Sequence, residues 1–468
     1  MNKFLKNNWQ AIILLILALL THFLFLSYPA EVVFDEVYYE QFASDYFTHQ
    51  YYFCNHPPLG KLIIAGFAGV FGFNGGLDLK NIGQMVGGAE MFALRFAPAL
   101  FGVLFVLLIY FLILKLGLSK KVAFLGGFLV LFDNAILTQS RLAVIDIFLL
   151  FFGFLAMYFL LCYKDIKNNF RRKYVFLGLS AISAALSFSV KWTGLAFLAL
   201  IVVYLLYELF IKDRKNILLK IVIITALPFL TYYSVFLIHF GILTKTGPGD
   251  AFMSQGFLKT LEGNRVPESV KPSSQWQKFV ELNTTMYATH ANMTATHPYS
   301  SKWQEWPLDR RPIWYWSKSV GDKVGNIHLL GNPIIWWSVL LAVIYCISSL
   351  TFRNFRKKLP AVVYFLIFGY FFNLLAFIFI GRVVFIYHYL PSLVAGILLL
   401  SILFDKILNN EDGRNIMGLS KKDSNAIYIG FLIFVFLVFI LLSPLTYGFM
   451  IPSGINSNYG SFLNLLLN

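Results

Sequence analysis

The sequence has few charged residues and very few cysteines. Only 13% of its 468 residues are Asp, Glu, Lys or Arg, whereas 58% are hydrophobic. A soluble domain carries about 25% charged residues, so this composition excludes an ordinary soluble enzyme and indicates a polytopic membrane protein. The three cysteines, Cys54, Cys162 and Cys346, have no spacing typical of a zinc site or a disulfide framework. The sequence shows no internal repeat and no low-complexity tract.

Acidic residues are scarcer than basic ones, 23 against 38, which gives a formal net charge of +15. The basic residues are scattered through short segments rather than gathered on one face, which argues against nucleic-acid binding. They follow apolar runs, as the positive-inside rule for membrane proteins requires. The basic start, residues 1–10, could belong to a signal peptide. Because no convincing small-residue cleavage site precedes Glu31, we interpret the first apolar run as a retained span.

Eleven apolar segments are suited to crossing a membrane, for which about 20 residues are needed. They are residues 11–28, 92–114, 122–137, 142–163, 174–190, 193–211, 217–240, 333–352, 359–380, 389–408 and 426–447. We therefore predict an all-α polytopic membrane protein with about 11 transmembrane helices. A further apolar stretch, 62–73, is too short to span comfortably and is expected in the membrane interface.

The basic clusters assign an orientation to these spans. With the N-terminus in the cytoplasm, every cluster falls on the cytoplasmic side, and the C-terminus falls outside. The clusters comprise Lys3 and Lys6; Lys115, Lys120 and Lys121; Lys164, Lys167, Arg171, Arg172 and Lys173; Lys212, Arg214 and Lys215; Arg353, Arg356, Lys357 and Lys358; and Lys406, Arg414, Lys421 and Lys422. The sequence thus predicts an N-terminal transmembrane module, 1–240, with an external first loop at 29–91. An external loop region, 241–331, and a C-terminal transmembrane module, 332–468, follow.

Polar residues that suit neither an apolar span nor a cytoplasmic loop all map to the predicted external face. Two adjacent carboxylates, Asp35 and Glu36, follow the first span, where charge is costly to place. The others are His56, Lys61, Arg95, Asp133, Arg141, Asp146, Lys191, Arg382 and His388. The orientation is assigned from the basic clusters and not from these polar residues. Their location on a single face of the membrane therefore predicts a functional site.

The residue types in this set suit an anionic, lipid-linked substrate. Arg and Lys bind phosphate through charge-assisted hydrogen bonds, and a site at the membrane edge leaves the lipid tail in the bilayer. A carboxylate nearby can take a proton from an acceptor hydroxyl, while the cations stabilise the departing phosphate. The pattern therefore predicts the active site of a membrane-embedded glycosyltransferase.

Each member also has a plainer interpretation. The acidic pair could be part of a solvated loop, and Arg95 and Lys191 could extend to the interface from span ends. Arg141 and Asp146 could form a structural ion pair. His56 could be a turn residue before two prolines, and His388 could belong to the aromatic belt at the membrane interface. Their gathering on one side is harder to explain in this way.

A series of motifs, in order over nearly the whole chain, carries a family likeness. The motifs are Phe-Asp-Glu-Val-Tyr-Tyr at 34–39, His-Pro-Pro-Leu-Gly-Lys at 56–61, Leu-Arg-Phe-Ala-Pro-Ala-Leu at 94–100, Ser-Arg-Leu-Ala-Val-Ile-Asp-Ile-Phe at 140–148, Val-Lys-Trp-Thr-Gly at 190–194, Thr-His-Pro-Tyr-Ser-Ser-Lys-Trp at 296–303, Trp-Pro at 306–307, Arg-Pro-Ile-Trp-Tyr at 311–315 and His-Tyr-Leu-Pro at 388–391. In these motifs the chain resembles the protein O-mannosyltransferases of the GT-C superfamily.

This resemblance implies a GT-C fold and an activity. The activity is an inverting transfer of mannose from dolichyl- or polyprenyl-phosphate-mannose to Ser or Thr of secreted or membrane proteins. Asp35 matches the catalytic acidic position of the family and is expected to be the general base, with Glu36 supporting it or placing the acceptor. Arg95 matches the essential arginine on the second span. Donor or substrate contacts are expected from Arg95, Arg141, Lys191, His56, Lys61, Asp146, Arg382 and His388, and contacts with the acceptor from His297 and Trp303.

The external loop region 241–331 departs from the eukaryotic members of the family. It is too short to hold their MIR domain, which fits the prokaryotic type. We therefore expect a multi-pass protein of the plasma membrane with its active site facing outside. The expected partners are the polyprenyl-phosphate-mannose donor, Ser/Thr-containing acceptor proteins and membrane lipid. No cofactor or metal site is evident, and a divalent-metal requirement is left open.

Two alternatives stay open. One is a related GT-C transferase that moves another lipid-linked sugar to a lipid or a glycan. The other is a transporter for a lipid-linked sugar. Transporters tend to place charge near the bilayer midplane and to contain paired repeats, whereas here the charge lies at the predicted outer edge.

Overall fold

A computed structural model describes residues 3–212, 214–351, 359–408 and 418–467. Its α-helices are α1 (Lys3–Phe23), α2 (Glu36–Thr48), α3 (Leu59–Val70), α4 (Gly88–Lys115), α5 (Lys120–Leu131), α6 (Asn134–Arg141), α7 (Asp146–Asp165), α8 (Phe170–Phe188), α9 (Leu195–Tyr207), α10 (Ile217–Ile242), α11 (Gln255–Leu258), α12 (Gln275–Ala291), α13 (Pro333–Thr351), α14 (Val362–Leu375), α15 (Leu390–Leu408), α16 (Lys421–Tyr447) and α17 (Ser453–Leu467). Three strands, β1 (Ile313–Val320), β2 (Lys323–Leu329) and β3 (Ile451–Pro452), form one antiparallel sheet.

Within the described residues, eight helices are long and apolar enough to cross a membrane, or nine if the bent pair α5–α6 counts as one span. The eight are Gly88–Lys115, Asp146–Asp165, Trp192–Ile211, Ile217–Ile242, Pro333–Leu350, Val362–Phe379, Ile386–Leu408 and Lys421–Tyr447. The chain is therefore a helical, multi-pass membrane protein, as its composition predicts.

The prediction of about 11 spans is confirmed only in part. The first predicted span coincides with α1, but non-helical backbone at Asn8 leaves a shorter apolar helix, Asn8–Phe23. The third falls on α5 and α6, which are bent by 61°. The bend occurs because Asp133 interrupts the helix, and its Oδ1 accepts a hydrogen bond from the Ile136 N–H at 2.9 Å. The fifth coincides with α8, which opens on three basic residues and is rich in Ser and Ala.

Some predictions fall outside the described residues. These are the end of the eighth predicted span at Phe352, the basic cluster Arg353, Arg356, Lys357 and Lys358, and Arg414. The membrane orientation and the division into three consecutive segments stay predictions. The helix α3, 12 residues long, confirms that the apolar stretch after residue 61 is short.

The chain folds into two compact units, and each is assembled from separate parts of the sequence. Unit I comprises Leu26–Phe101 and Arg141–Ala295. Unit II comprises Met1–Phe25, Gly102–Ser140 and Thr296–Asn468.

Unit I is built on a hairpin of α7 and α8. Two serines of α8 donate hydrogen bonds across it, Ser180 Oγ to the Ala156 carbonyl at 2.8 Å and Ser187 Oγ to the Leu149 carbonyl at 2.9 Å. Small residues on α8 allow this close approach, as is common between membrane helices. Because the two helices run in opposite directions, the start of α7 and the end of α8 lie at the same end of the hairpin.

Unit II is organised around α15. Every side chain from Leu390 to Asp405 is buried, and α13 and α14 pack against this helix. A helix that is apolar on all sides is suited to such a central position. The sheet was not predicted from the sequence. Its β1–β2 hairpin turns at Gly321, whose φ is +60°, and β2 packs against α16.

Candidate active site

Asp35 lies immediately before α2, where Phe34 turns the chain with a φ of 48°. Its side chain is half-buried, and among the described residues no donor hydrogen-bonds to its carboxylate. Burial raises the pKa of Asp35 to about 6, while Lys191 lowers it and Asp146 raises it further. Asp35 is thus a carboxylate whose oxygens are available to a substrate.

Glu36, the next residue, is fully buried, and both of its carboxyl oxygens accept hydrogen bonds. Oε1 accepts hydrogen bonds from Arg95 Nε at 2.8 Å and from the Ala143 N–H at 2.7 Å. Oε2 accepts from Arg95 Nη2 at 2.7 Å and from the Val33 N–H at 2.9 Å. Glu36 therefore holds α2, α4 and the segment before α7 together.

Arg95 uses its guanidinium entirely within unit I. Besides its fork on Glu36, it donates to the carbonyls of Leu26, Pro29 and Glu31 at 3.2, 2.9 and 3.2 Å. These bonds engage all five N–H groups of the side chain. In this structure Arg95 therefore ties the beginning of the first loop to α4. Its predicted contact with the donor stays a prediction.

Lys191 and Asp146 form an ion pair at the open end of the α7–α8 hairpin. Lys191 Nζ lies 2.8 Å from Oδ1 and 2.9 Å from Oδ2 of Asp146. Asp146 is the first residue of α7, and Lys191 follows α8 in extended backbone. The side chains are 8% and 14% exposed, so the pair is shielded but reachable. The charges of both residues act on the pKa of Asp35, so the pair lies within electrostatic range of that carboxylate.

The first turn of α3 packs at the open end of this hairpin, between the segment before α7 and the segment after α8. A Cβ at Gly60 would lie 2.7 Å from Ile145 Cγ2 and 3.3 Å from Val190 Cγ1, so only glycine permits the approach. The Leu59 N–H donates to the Ser189 carbonyl at 3.1 Å. The motifs at 56–61, 140–148 and 190–194, far apart in the sequence, thus meet in one place.

His56 and Lys61 close a turn within the first loop. Lys61 Nζ donates to the His56 carbonyl at 2.6 Å. Its buried ammonium lies 5.9 and 6.0 Å from the ring centroids of Phe42 and Tyr52. The His56 ring lies beside His290 of α12 at 5.3 Å. These contacts place both predicted residues in the folded loop beside α12.

Arg141 is buried at the last residue of α6. Two residues later, the backbone N–H of Ala143 donates to Glu36. Arg141 therefore belongs to the same turn that α2 and α4 hold in place.

Four predicted residues, His297, Trp303, Arg382 and His388, lie in unit II. His388 stacks on Trp306 with ring centroids 6.0 Å apart and an interplanar angle of 16°. Its Nδ1 lies 2.9 Å from the Phe385 carbonyl oxygen. The His297 ring contacts the Phe385 ring edge-on at 5.1 Å. Phe385 therefore brings the two predicted histidines together.

Arg382 and Trp303 also lie in unit II. Arg382 donates from Nη1 to the carbonyl of its neighbour Val383 at 3.2 Å, and Trp303 is half-buried. Asp133 has a structural role in unit II, because its Oδ2 accepts a hydrogen bond from Trp336 Nε1 at 2.7 Å. In the described part of the chain, no group of three or more His, Cys, Asp or Glu residues could hold a metal ion.

Sequence analysis did not identify Glu40. This residue is fully buried one turn after Glu36, and neither of its carboxyl oxygens has a hydrogen-bond partner among the described residues. Burial, and then the charge of Glu36, raise the pKa of Glu40 well above its usual range, against a smaller lowering by Arg95. The spacing of four residues on α2 was the signal available in the sequence.

Family models match most of the chain. The model for "Dolichyl-phosphate-mannose-protein mannosyltransferase" matches residues 12–244. The model for "C-terminal four TMM region of protein-O-mannosyltransferase" matches residues 275–462. The chain belongs to the protein O-mannosyltransferase family.

Curated family members are similar over about half of this chain. The yeast Saccharomyces cerevisiae protein "Dolichyl-phosphate-mannose--protein mannosyltransferase 1" is 33% identical over 256 residues, which cover 52% of this chain and 31% of the yeast protein. "Protein O-mannosyltransferase 1" of Drosophila melanogaster is 34% identical over 265 residues, which cover 53% of this chain and 30% of the fly protein. The match thus spans about a third of the length of these relatives.

Solved structures share the fold. A chain of the S. cerevisiae Pmt1-Pmt2 complex bound to its sugar donor matches with a TM-score of 0.86 and 21% identity, covering 96% of this chain and 91% of that one. The Archaeoglobus fulgidus oligosaccharyltransferase matches with a TM-score of 0.56 and 14% identity, covering 96% and 57%. ArnT from Cupriavidus metallidurans matches with a TM-score of 0.52 and 12% identity, covering 94% and 75%. This protein O-mannosyltransferase family member therefore has the GT-C fold that its motifs imply.

Proposed function

We propose that this protein transfers mannose from polyprenyl-phosphate-mannose to Ser or Thr hydroxyls of secreted or membrane proteins, with Asp35 as the general base. The observation that carries the proposal is the contrast between the two adjacent carboxylates. Glu36 accepts four hydrogen bonds within the protein, whereas Asp35 accepts none among the described residues. Family membership supports the reaction, and the carboxylate of Asp35, which accepts no hydrogen bond among the described residues, supports its role as the base.

In the proposed step, the acceptor hydroxyl gives its proton to the Asp35 carboxylate while its oxygen attacks C1 of the mannosyl group. The bond between C1 and the phosphate oxygen breaks on the opposite side, so the configuration at C1 inverts and polyprenyl phosphate leaves with the bonding electrons. A pKa of about 6 suits this role, because a general base is most effective when its pKa lies near the working pH.

Lys191 is the cation that we place nearest to this base. Its charge lowers the pKa of Asp35, and Asp146 holds its ammonium by two short hydrogen bonds. A held cation stabilises the negative charge that develops on the leaving phosphate without having to reorganise. Arg141, Arg382 and His388 stay predicted contacts of the donor, and His297 and Trp303 stay predicted contacts of the acceptor.

We further propose that the reaction takes place on the external face of the plasma membrane. The support is the positive-inside pattern of the basic clusters, which assigns the first loop to the outside. The fold similarity to the oligosaccharyltransferase and to ArnT supports a second candidate, a GT-C transferase that moves another lipid-linked sugar.

The experiment compares mannosyl transfer by the purified wild type and Asp35→Asn, using polyprenyl-phosphate-mannose and a Thr-rich peptide. We expect the variant to lose about 10²–10⁴-fold in rate, the usual contribution of a general base, and to retain donor binding. Asp78→Asn is the matched control, since it makes the same change at an exposed position of the same loop.

Near-normal turnover by Asp35→Asn would remove Asp35 from the proposed role. A wild type that transfers another lipid-linked sugar but not mannose would establish the second candidate instead.

A further inference from the structure

Unit II contains a cavity of about 210 Å³ that includes none of the predicted site residues. The β1–β2 hairpin, the end of α16 and the terminal helix α17 form its walls. The residues that give it chemical character are Tyr299, Trp314, Asn326, His328, Asn456 and Asn464.

One wall of the cavity carries two stacked aromatic rings. Trp314 and His328 are paired directly across the β1–β2 hairpin. Their rings are almost parallel, with an interplanar angle of 7° and centroids 6.2 Å apart. The Trp314 side chain is 46% exposed, so one part of this surface is accessible from outside. The negative face of an aromatic ring attracts weakly positive C–H groups, which one face of a pyranose ring presents.

Side-chain amides supply the polar groups of the cavity. Asn326 accepts a hydrogen bond from Trp314 Nε1 at 3.2 Å and donates one to Asn456 Oδ1 at 2.8 Å. This chain of bonds fixes the amide of Asn456 and leaves its Nδ2 group without a partner among the described residues. On α17, the exposed Asn464 amide also has no hydrogen-bond partner in the described part of the chain. An amide both donates and accepts, which matches neighbouring hydroxyl groups on a sugar.

The lining carries no formal charge. None of the residues around the cavity, all of them within the described ranges, is Asp, Glu, Lys or Arg. A phosphate headgroup would lack a cation there, so the lipid-linked donor is a poor fit. An aromatic wall combined with a few directed polar groups is the usual composition of a site for a small neutral ligand.

We propose that this cavity binds a neutral hexose, and specifically the mannosyl group of an acceptor that is already glycosylated. The hexose class follows from the lining alone. The choice of mannose rests on the proposed function. Such a site would hold a glycosylated chain on the enzyme after transfer.

The experiment measures binding rather than transfer. The full-length protein is placed in phospholipid nanodiscs, because sugar-headed detergents would compete for the cavity. Methyl α-D-mannopyranoside, methyl α-D-glucopyranoside, a mannosyl-threonine peptide and the same peptide without sugar are titrated by saturation-transfer NMR. We expect the mannoside and the mannosylated peptide to bind, and Asp35→Asn to bind them as the wild type does.

Two variants test the cavity itself. Trp314→Ala removes the aromatic wall, and Asn464→Ala removes an exposed amide whose loss leaves the fold intact. We expect each to weaken mannoside binding by about tenfold or more, roughly the loss of one good contact. Trp337→Ala is the matched control, because Trp337 is 45% exposed in the same unit and does not line the cavity.

Several results would overturn the proposal. One is a wild type without saturable hexose binding, and another is unchanged affinity in both cavity variants. Equal binding of the sugar-free peptide would show a peptide site instead. Binding of the glucoside but not the mannoside would overturn the choice of mannose, a failure separate from any result of the transfer assay.

Discussion

Asp35 and Glu36 are adjacent in the sequence but differ in every contact that they make. Glu36 faces α4 and the segment before α7, and its hydrogen bonds of 2.7–2.9 Å hold its buried carboxyl group in place. Asp35 precedes the helix, and the charges of Lys191 and Asp146 act on its pKa. This division leaves one carboxylate for the fold and one for a substrate.

The pKa of Asp35 predicts how activity depends on pH. Because a general base works only when deprotonated, and burial raises this pKa to about 6, activity should fall as the pH drops through that value. We expect kcat/KM to be level above about pH 7 and to fall about tenfold per pH unit well below pH 6. Initial rates across this range test the prediction, with donor binding measured at each pH as the control. A level profile down to pH 4 would contradict it.

The buried pair of Glu36 and Arg95 predicts a loss of stability. Glu36→Gln leaves the guanidinium buried without its counter-charge, and breaking such a pair costs about 3–5 kcal/mol. We expect a clearly lowered midpoint of unfolding and a loss of transfer. Asp78→Asn is the control, since its pair with Lys80 has a similar distance, 2.7 Å, but lies in solvent and should contribute little.

Unfolding of both variants is followed by denaturant titration in the same lipid environment. If Glu36→Gln were as stable as Asp78→Asn, the pair would not hold the first loop in place.

At the scale of the element, the start of α3 depends on one glycine. In Gly60→Ala the new methyl group would meet the Ile145 side chain at 2.7–2.8 Å, so α3 or the start of α7 must shift. Overpacking of this kind costs about 1–3 kcal/mol, and the shift would move the Lys191–Asp146 pair away from Asp35. We expect reduced kcat with a smaller change in stability.

Gly66→Ala is the matched control for that substitution. Gly66 is exposed on the same helix, and no atom lies within 4 Å of its added Cβ. Transfer rates and unfolding midpoints are measured for Gly60→Ala and Gly66→Ala, to test whether the packing at Gly60 positions the site. Equal rates for both would show that the packing at Gly60 does not position the site.

The elements that sequence analysis missed had recognisable signals. β1 begins with four consecutive residues typical of strands, Ile, Trp, Tyr and Trp, and only Gly321 and Asp322 separate it from β2. A two-residue loop of this kind between such runs is typical of a hairpin. The search for long apolar segments passed over it because the strands are short. Likewise, α2 begins at Glu36, within the acidic pair, but its weak amphipathic pattern resembles a loop.

At the scale of the whole molecule, local patterns predicted helices and could not predict their partners. Within the described residues, the predicted spans fall mainly on helices, the third of them on the bent pair α5–α6, because hydropathy is a local property. The contact of Glu36 with Arg95 joins residues 59 positions apart, and that with Ala143 joins residues 107 apart. No spacing in the sequence distinguishes these pairings from others. Residue types therefore predicted a set of candidates, which stays a prediction, whereas the different contacts of Asp35 and Glu36 are visible only in the structure.

The orientation of the molecule in the membrane yields the last prediction. The positive-inside rule assigns the loop containing Asp78 to the outside and the turn between α7 and α8 to the cytoplasm. With Cys54, Cys162 and Cys346 replaced by Ser, a single cysteine is introduced as Asp78→Cys or Asn168→Cys, both at exposed positions. We expect a membrane-impermeant maleimide to label the first variant in intact cells and the second only after permeabilisation. The opposite pattern would place the loop that contains Asp35 and Glu36 in the cytoplasm and exclude acceptors that have already crossed the membrane. Labelling of both cysteine variants in intact cells would show that one predicted span between positions 78 and 168 does not cross the membrane.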